Sequence, residues 1–443
     1  MRVIFPFFLI SFLISYQVNS QSVPAPYSVG TWSGFRNAAI SYTFDDGCPN
    51  QFKVAIPLFD EYNYKLTLFT VSSWIVSWSD LKSAAQNSHE VASHTKSHPN
   101  LSQLTAEEQN KELEYSKIAI ESNIPGYSCL THAYPYCVKG IDSICSKYYI
   151  SARGCQGNIE GKTPASYLNV SSIIGGDLGS VKTFANFETN FKKTLKNNGW
   201  CVFLFHGVDN DGGYSPIAST ELRNSLDYLF ARKSQYWVTT FLNATLYSME
   251  RNSVNLVETA TTNSSKTLEI SDNLPDSIYN YPLTFRLPLP VDWPSANVTQ
   301  NAVEVSKRIV LVDNLVYLTF DVVPDAGQIL ITKNNTPVVP EIDSVPDENP
   351  TPTGFSQPKN IKTEIESQFA NNTLSVLFPE MASNNALISF YDMKGNRLAS
   401  KLFSHPSGKK VCVNLNPNSV MPGVYVVTIN NGKQIWNKKI IVN

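Results

Sequence analysis

The feature that most limits the fold is a change of pattern along this 443-residue chain. From Ser28 to Met249, short apolar runs typical of strands alternate with longer stretches typical of helices. This alternation predicts an α/β unit around a parallel sheet, either a barrel or a doubly wound sheet. The predicted strands are Ala39–Phe44, Lys65–Val71, Tyr148–Ala152, Ile173–Ile174, Cys201–Phe205 and Val238–Phe241, and the predicted helices are Ala106–Ser122 and Ala218–Arg232.

After Val254 the pattern becomes strand after strand, with little helix. We expect a β-sandwich accessory domain over residues 254–340. Residues 341–360 are rich in Pro, Asp, Glu and Ser and predict an extended linker. A second β-sandwich is expected over residues 361–443. The strands predicted in these two domains are Val316–Val322, Gln328–Thr332, Ala386–Tyr391, Val411–Leu415, Val424–Ile429 and Ile435–Val442.

The N-terminus has the layout of a secretory signal peptide over residues 1–20. Arg2 precedes an apolar run over residues 3–14, which is too short to span a membrane. Val18 and Ser20 take the small-residue positions of a cleavage site. The alternative is that the apolar run forms a buried strand or an anchor.

Charge and cysteine content narrow the functional classes. The net charge is -2, which argues against nucleic acid binding because that function needs a clustered basic surface. The chain has seven cysteines, and export would permit disulfides. Cys129, Cys137, Cys145 and Cys155 cluster closely enough for one or two bridges, and their pairing stays open at this point.

Two adjacent carboxylates follow the first predicted strand, in the run Thr43-Phe44-Asp45-Asp46-Gly47. Adjacent acids at the end of a strand repel each other unless a cation lies nearby. The alternative for this run alone is a solvated acidic turn.

A pair of histidines favours a cation site over a solvated acidic turn. His94 and His98 are four residues apart, which predicts that both imidazoles lie on one side of a helical turn ended by Pro99. Together with Asp46 they make a three-ligand set that leaves a position open for water. Such a set suits one divalent metal, Zn²⁺ first, with Co²⁺ or Ni²⁺ as replacements.

These residues resemble the polysaccharide deacetylases of carbohydrate esterase family four, the NodB homology domain. The first family motif, T-F-D-D-G, stands intact at Thr43–Gly47, and the second, H-[ST]-x-x-x-H-P, stands intact at His94–Pro99. The resemblance covers residues 28–250 and implies a distorted, incomplete (β/α) barrel. It also implies that Asp45 is the general base and that Asp46, His94 and His98 bind the metal.

The third family motif, R-x-P-[FY], is only partly present. Pro135 and Tyr136 match it, but Ala133 stands where the family has an arginine that orients the base. Arg153, at the end of a later strand, is our candidate for the same space, and the alternative is a surface arginine. The resemblance implies that Pro135 lines the substrate pocket and that the backbone N–H of Tyr136 is an oxyanion donor.

The last two family motifs differ in how well they are kept. The fourth, D-x-x-D-W, has no counterpart, since Asp177 is not followed by a tryptophan. The fifth, L-x-H, matches Leu204-Phe205-His206. The resemblance implies that Leu204 lines the methyl pocket and that His206 protonates the leaving group. His89 is interpreted as structural, and His132 and His405 are left without a role.

The C-terminal pattern resembles the sorting domain of type IX secretion substrates. It consists of Pro422–Ile429, then Asn431-Gly432 and the basic pair Lys438-Lys439. This resemblance implies export across two membranes by the type IX machinery, to a secreted or cell-surface location. The alternative is an ordinary β-sandwich accessory module.

The sequence therefore predicts a secreted, metal-dependent hydrolase that removes O- or N-acetyl groups from a polysaccharide or oligosaccharide. No nucleic acid partner and no membrane span after removal of the signal are expected. Two alternatives stay open: a metal-dependent amidohydrolase acting on a non-sugar substrate, and an inactive carbohydrate-binding module. Acetate release from acetylated glycans separates the three.

Overall fold

The computed structural model describes residues 21–342 except residues 76 and 314, together with seven strands beyond residue 365. The predicted signal peptide, most of the predicted linker and His405 lie outside the described residues. None of the helices in the described part is both long and apolar enough to cross a bilayer.

The first region contains an eight-stranded sheet in which every pairing is parallel. Its order is β6-β5-β4-β3-β2-β8-β7, and β9 also pairs with β2. The chain begins with β1 (Ser28–Val29), which belongs to a later sheet, and continues with β2 (Ala38–Asp45), β3 (Thr67–Thr70), β4 (Glu90–Ser93), β5 (Thr131–Ala133), β6 (Ser151–Arg153), β7 (Ile173–Ile174), β8 (Trp200–Phe205) and β9 (Tyr236–Val238).

Helices cover the outside of this sheet because alternate strand residues are large and apolar. Tyr42, Phe44 and Phe203 point outward and pack with Phe187 of the helical layer in one apolar cluster. Burial of each such phenylalanine stabilises the fold by about 1.5–3 kcal/mol. The helices are α1 (Ile56–Glu61), α2 (Trp78–Gln86), α3 (Ala106–Asn123), α4 (Asp142–Cys145), α5 (Phe184–Lys196), α6 (Ser219–Ala231) and α7 (Phe241–Ser253).

A β-sandwich of two five-stranded sheets follows. The sheet orders are β1-β12-β16-β15-β18 and β10-β11-β17-β13-β14. Strand β18 consists of the first two residues of the predicted linker. The new strands are β10 (Asn255–Thr261), β11 (Ser265–Ser271), β12 (Leu283–Pro288), β13 (Ser295–Gln300), β14 (Val303–Glu304), β15 (Lys307–Val312), β16 (Leu315–Val322), β17 (Ile329–Asn334) and β18 (Glu341–Ile342).

The sandwich shares its core with the interior of the first region. A single apolar cluster runs from Ala92 and Val202 inside the parallel sheet, through Phe241 of α7, to Phe285 and Ile331 of the sandwich. The N-terminal strand β1 adds to the same connection, because it pairs with β12. A continuous apolar core of this kind holds the two regions together.

The last region consists of two antiparallel sheets, ordered β19-β20-β23 and β22-β21-β24-β25. Ile388, Phe390, Val413 and Val427 are buried there. The strands are β19 (Glu366–Ala370), β20 (Thr373–Leu377), β21 (Ala386–Asp392), β22 (Arg397–Phe403), β23 (Lys410–Asn414), β24 (Gly423–Asn430) and β25 (Ile435–Val442).

The predicted fold class, an incomplete (β/α) barrel followed by all-β sheets, is confirmed. Two predicted strands are wrong over most of their length, since β6 overlaps only the last two residues of the predicted Tyr148–Ala152 and β9 only the first residue of the predicted Val238–Phe241. Strand β9 ends at Val238, and Thr240 caps a helix instead, because its hydroxyl accepts a hydrogen bond from the backbone N–H of Asn243 at 3.1 Å.

Candidate active site

The predicted site residues meet at the carboxyl edge of the parallel sheet. Asp45 is the last residue of β2 and Asp46 follows it, while His94 comes directly after β4 and His206 directly after β8. Strands β4 and β8 lie on opposite sides of β2. Since parallel strands end at the same edge of a sheet, these side chains converge there, as ligand sites of α/β folds do.

The three predicted metal ligands lie close together. The Nε2 atoms of His94 and His98 are each 3.7 Å from Oδ1 of Asp46, and the three ligand atoms all lie within 4.8 Å of one another. Oδ1 of Asp46 is buried and has no hydrogen-bond partner within the described part of the chain. A buried carboxylate oxygen facing two imidazole nitrogens fits a divalent cation, since Zn²⁺ takes ligands at about 2.0–2.2 Å.

The loop that carries the two histidines is not helical, so the predicted helical turn is wrong. Strand β4 ends at Ser93, and both Thr95 and His98 have positive φ angles, 66° and 63°. Side-chain hydrogen bonds take the place of a helical ladder. The hydroxyl of Ser93 accepts from the N–H of Thr95 at 3.2 Å, and the hydroxyl of Thr95 accepts from the N–H of His98 at 2.9 Å.

His94 is fixed in the tautomer that a metal ligand needs. Its Nδ1 atom lies 2.8 Å from the backbone carbonyl of Ala133, which can only accept, so Nδ1 donates and Nε2 keeps its lone pair. Burial lowers the pKa of His94 to about 4. Burial also lowers the pKa of His98. Both imidazoles are therefore neutral at pH 7 and available to bind a cation.

Arg153 reaches Asp45 across the interior of the barrel. Its guanidinium donates to Oδ1 and Oδ2 of Asp45 at 2.9 and 2.6 Å, and to the hydroxyl of Thr43 at 2.9 Å. Arg153 is 1% exposed, so the alternative of a surface arginine is wrong. Strands β6 and β2 are four positions apart, about 19 Å along a flat sheet, and this contact exists because the sheet curls.

The register explains why an arginine missing from one strand is supplied by the next. Arg153 of β6 is the direct parallel partner of Ala133 of β5, and Ala133 is the position where the third motif has its arginine. Burial by itself would raise the pKa of Asp45, but Arg153 and His94 lower it to about 2. Asp45 is thus held ionised and oriented by a bidentate pair.

The pKa of the neighbouring carboxyl group, Asp46, is shifted upward instead. Burial and the negative charge of Asp45 raise the pKa of Asp46 to about 6. Its backbone is also unusual, with a φ of 72° that places it in the left-handed region. The surroundings therefore give the two adjacent acids different pKa values, because Asp45 pairs with an arginine and Asp46 faces two imidazoles.

His206 and Leu204 lie on the β8 side of the site. The Nε2 atom of His206 is 3.9 Å from Oδ2 of Asp46. Its Nδ1 atom is buried and, among the described residues, has no hydrogen-bond partner. Leu204 is 2% exposed in β8 and alternates with Phe203 and Phe205, which face the helical layer.

Gln51 is a residue that sequence reasoning missed. It is fully buried, and its amide nitrogen donates to the backbone carbonyls of Asp45 at 2.5 Å and His206 at 2.9 Å. Gln51 therefore ties the end of β2 to the end of β8. A lone glutamine four residues after T-F-D-D-G gives no signal in one sequence, because the role depends on two carbonyls that only the fold brings together.

Pro135 and Tyr136 form a short 3-10 segment after β5. Tyr136 has a φ of 54°, and its ring lies 4.7 Å from that of His98. A disulfide joins Cys137 to Cys155, so one of the pairings left open by spacing is present. It links the segment after Tyr136 to the segment after Arg153 and fixes the two loops relative to each other.

The other two described histidines, His89 and His132, lie outside the candidate site. His89 is buried beside Asp60, with its Nε2 3.1 Å from a carboxylate oxygen, which fits the structural interpretation. His132 is buried behind His94, stacked on the ring of Tyr149 at 5.2 Å. Burial lowers the pKa of His132 well below its usual value.

Two parts of the chain match known family models. Residues 34–143 match the model described as polysaccharide deacetylase, and residues 370–443 match the model described as secretion system C-terminal sorting domain. The first match includes both intact motifs and ends before Arg153 and His206. A gellan lyase from Bacillus sp is 26% identical over 325 residues, which cover 68% of this chain and 13% of that protein.

Several solved structures are similar to part of the chain. The Xyl-CE4 domain of a multidomain xylanase from the hindgut metagenome of Trinervitermes trinervoides is 16% identical, with 47% of this chain and 89% of that chain covered and a TM-score of 0.35. A family 4 acetyl xylan esterase from Clostridium thermocellum, in complex with a cobalt ion, is 16% identical, with 48% and 91% covered and a TM-score of 0.36.

Proposed function

This chain carries a polysaccharide deacetylase domain and a C-terminal secretion sorting domain, and from that premise we propose that it hydrolyses O- or N-acetyl groups on an extracellular glycan. The domain makes the chain a carbohydrate hydrolase, which is the predicted enzyme class. The observation that carries the proposal is the buried Oδ1 atom of Asp46, held without a hydrogen-bond partner among the described residues and 3.7 Å from two imidazole nitrogens.

Asp46, His94 and His98 would hold one divalent cation, with zinc proposed because a His₂Asp set leaves an open position and suits that ion. When bound, such a cation acidifies water and polarises the acyl carbonyl of the substrate. The chain's own contribution is to keep both imidazoles neutral and one carboxylate oxygen uncommitted.

Asp45 is proposed as the general base. Both of its oxygens accept from Arg153, which keeps the carboxylate ionised and pointed at the site rather than free to rotate. Oδ2 lies 3.7 Å from Nε2 of His94, so the base sits beside the cation-binding set. Arg153 makes no hydrogen bond to Asp46, the proposed ligand. It is therefore a positioning residue that acts on the reaction through Asp45.

His206 is proposed to donate a proton to the leaving oxygen or nitrogen of the sugar. It stands on the other side of Asp46 from His94, as expected for an acid that acts on the leaving group while the base acts on the nucleophile. The backbone N–H of Tyr136, with Pro135 and Leu204 around the acetyl methyl group, completes the proposed site.

We also propose that the chain is exported. The sorting domain implies secretion and attachment at the cell surface by the type IX machinery, and a signal peptide over residues 1–20 would start that route. We place the catalytic domain at residues 28–250 and the two β-sandwich domains at 254–340 and 361–443.

The test is acetate release from acetylated xylan and from a chitooligosaccharide, using metal-stripped protein before and after addition of zinc. We expect activity only after zinc is restored, on at least one of the two. Asp46→Asn protein, treated in the same way, is the control for metal carried by other sites. Zinc-independent release, or release from non-sugar acetamides alone, would contradict the proposal.

A further inference from the structure

A buried carboxyl group lies where the first region meets the β-sandwich, and it plays no part in the candidate active site. Glu250 belongs to the last turn of α7 and is 0% exposed. Its Oε1 atom accepts a hydrogen bond from the backbone N–H of Tyr281 at 2.8 Å. Its Oε2 atom is buried and has no hydrogen-bond partner among the described residues. Buried polar atoms normally have a partner, so this oxygen needs an explanation.

A second carboxylate oxygen without a partner lies on the loop that contacts Glu250. This loop, residues 272–282, joins β11 to β12 and begins at Asp272. Oδ1 of Asp272 accepts from the N–H of Leu274 at 2.7 Å, whereas Oδ2 is buried and unpartnered within the described chain. Tyr281, which donates to Glu250, comes near the end of the same loop. The loop therefore connects the two carboxyl groups.

Further acidic groups surround these two oxygens. Burial, and after it the negative charges of Asp272 and Asp276, raise the pKa of Glu250 to about 8. Burial also raises the pKa of Asp272, and the charges of Asp325 and Asp276 add to this rise. Asp325 is tied to the start of the loop, since its Oδ2 accepts from the N–H of Asp272 at 2.8 Å. Acidic groups this close repel one another unless a cation is present.

The basic residue next to Glu250 is directed elsewhere. Arg251 follows Glu250 in α7, but its guanidinium donates to the backbone carbonyls of Thr31 and Lys162. Among the described residues, the charged groups that shift the pKa of Glu250 and Asp272 are all acidic. Two buried oxygens without partners, in a cluster of like charges, fit a bound cation, because a cation would both neutralise the cluster and give each oxygen a partner.

We propose that Oε2 of Glu250 and Oδ2 of Asp272 bind one calcium ion where α7 meets the β11–β12 loop of the sandwich. Carboxylate oxygens suit Ca²⁺, whereas Zn²⁺ sites usually include histidine or cysteine. Ca²⁺ accepts six to eight oxygen ligands in a flexible geometry, so backbone carbonyls and water would complete the set. The bound ion would join a helix of the first region to a loop of the sandwich. It would therefore stabilise the folded chain without taking part in the proposed reaction.

The experiment measures the Tm of the full chain in metal-free buffer and then in millimolar calcium chloride. We expect calcium to raise the Tm of the parent by about 5 °C or more. Glu250→Gln and Asp272→Asn each remove one ligand charge while keeping the shape, and each should abolish this rise. Asp292→Asn is the matched control and should keep it, because Asp292 is an acidic residue of the same sandwich whose carboxylate pairs with Lys333 at 2.9 Å.

Bound calcium, measured by elemental analysis after dialysis, gives a readout that does not depend on unfolding. We expect one ion per parent chain and the loss of most of it in Glu250→Gln and in Asp272→Asn. A parent that binds no calcium and keeps its Tm would overturn the proposal, since Glu250 would then be a neutral carboxyl beside a buried water. An equal rise in Tm in both variants would overturn it as well, because the ion would be bound elsewhere. Equal stabilisation by Mg²⁺ would contradict the choice of calcium.

Discussion

On the β4 side of the site the ring of His94 is held by a hydrogen bond on the side away from Asp46, whereas on the β8 side the ring of His206 has no such bond among the described residues. His94 donates from Nδ1 to a backbone carbonyl, and Asp45 is clamped by two bonds from Arg153. The Nδ1 atom of His206 has no such partner among the described residues, and its ring is placed by the contact with Tyr214. One side is therefore organised by hydrogen bonds and the other by packing.

This difference matches the different proposed functions of the two sides of the site. Binding a cation and orienting a base both require groups fixed within a fraction of an ångström, which hydrogen bonds supply. Protonating a leaving group requires an imidazole that can exchange its proton with the substrate. The substitutions below test whether the two sides differ as their construction implies.

The largest effect is expected at the centre of the rigid side. Asp46→Asn removes the charge and one oxygen of the proposed ligand set while keeping the shape, and we expect acetate release to fall by at least about 10³-fold. Bound zinc, measured by elemental analysis after dialysis, should fall in parallel. Full zinc occupancy with lost activity would place Asp46 in the reaction but outside the ligand set.

The next effect tests the packed side. His206→Ala should lower turnover of an acetylated sugar by about 10²–10³-fold, because its alkoxide or amine leaving group needs a proton. Turnover of p-nitrophenyl acetate, whose leaving group needs little protonation, should fall by less than about tenfold. Equal losses on the two substrates would show that His206 is not the acid. Zinc content should stay at the parent level.

Arg153→Ala should lower kcat by about 10²-fold, with zinc retained, because Asp45 loses its orientation. Breaking a buried ion pair should also lower the free energy of unfolding by about 3–5 kcal/mol. Arg251→Ala is the matched control, since Arg251 is buried too but binds the backbone carbonyl of Lys162 away from the site. If both variants lost activity in proportion to stability, the role of Arg153 would be structural.

The smallest effect concerns pH and zinc affinity. The pKa of Asp46 is raised to about 6, whereas burial lowers the pKa of both His94 and His98, so the first proton to compete with the metal as the pH falls is that of Asp46. Affinity should fall about tenfold per pH unit just below pH 6. Chelator competition at several pH values measures this slope. A slope of two protons near pH 6.5 would mean that the imidazoles titrate normally.

Much of the site could be predicted because its parts are local. Asp45 and Asp46 are neighbours, and His94 and His98 are four residues apart, so each pair was visible as a short motif. The helical turn predicted for the histidines was wrong because spacing cannot distinguish a helix from a loop closed by Ser93 and Thr95 side chains. The ligands nevertheless converge, because the direction of the strand ends decides where they point.

The sequence alone determined the alternation that makes a parallel sheet, the two carboxylates at a strand end and the two imidazoles after another. These depend on neighbouring residues and on the period of apolar side chains. Tertiary structure decided that Arg153 reaches Asp45, that Gln51 bridges two strands, and that exposed rings flank the histidines. The contacts of Arg153 with Asp45, of Gln51 with His206 and of Trp74 with His98 join residues tens to more than a hundred positions apart, and they exist only because a curled sheet brings distant strand ends to one edge.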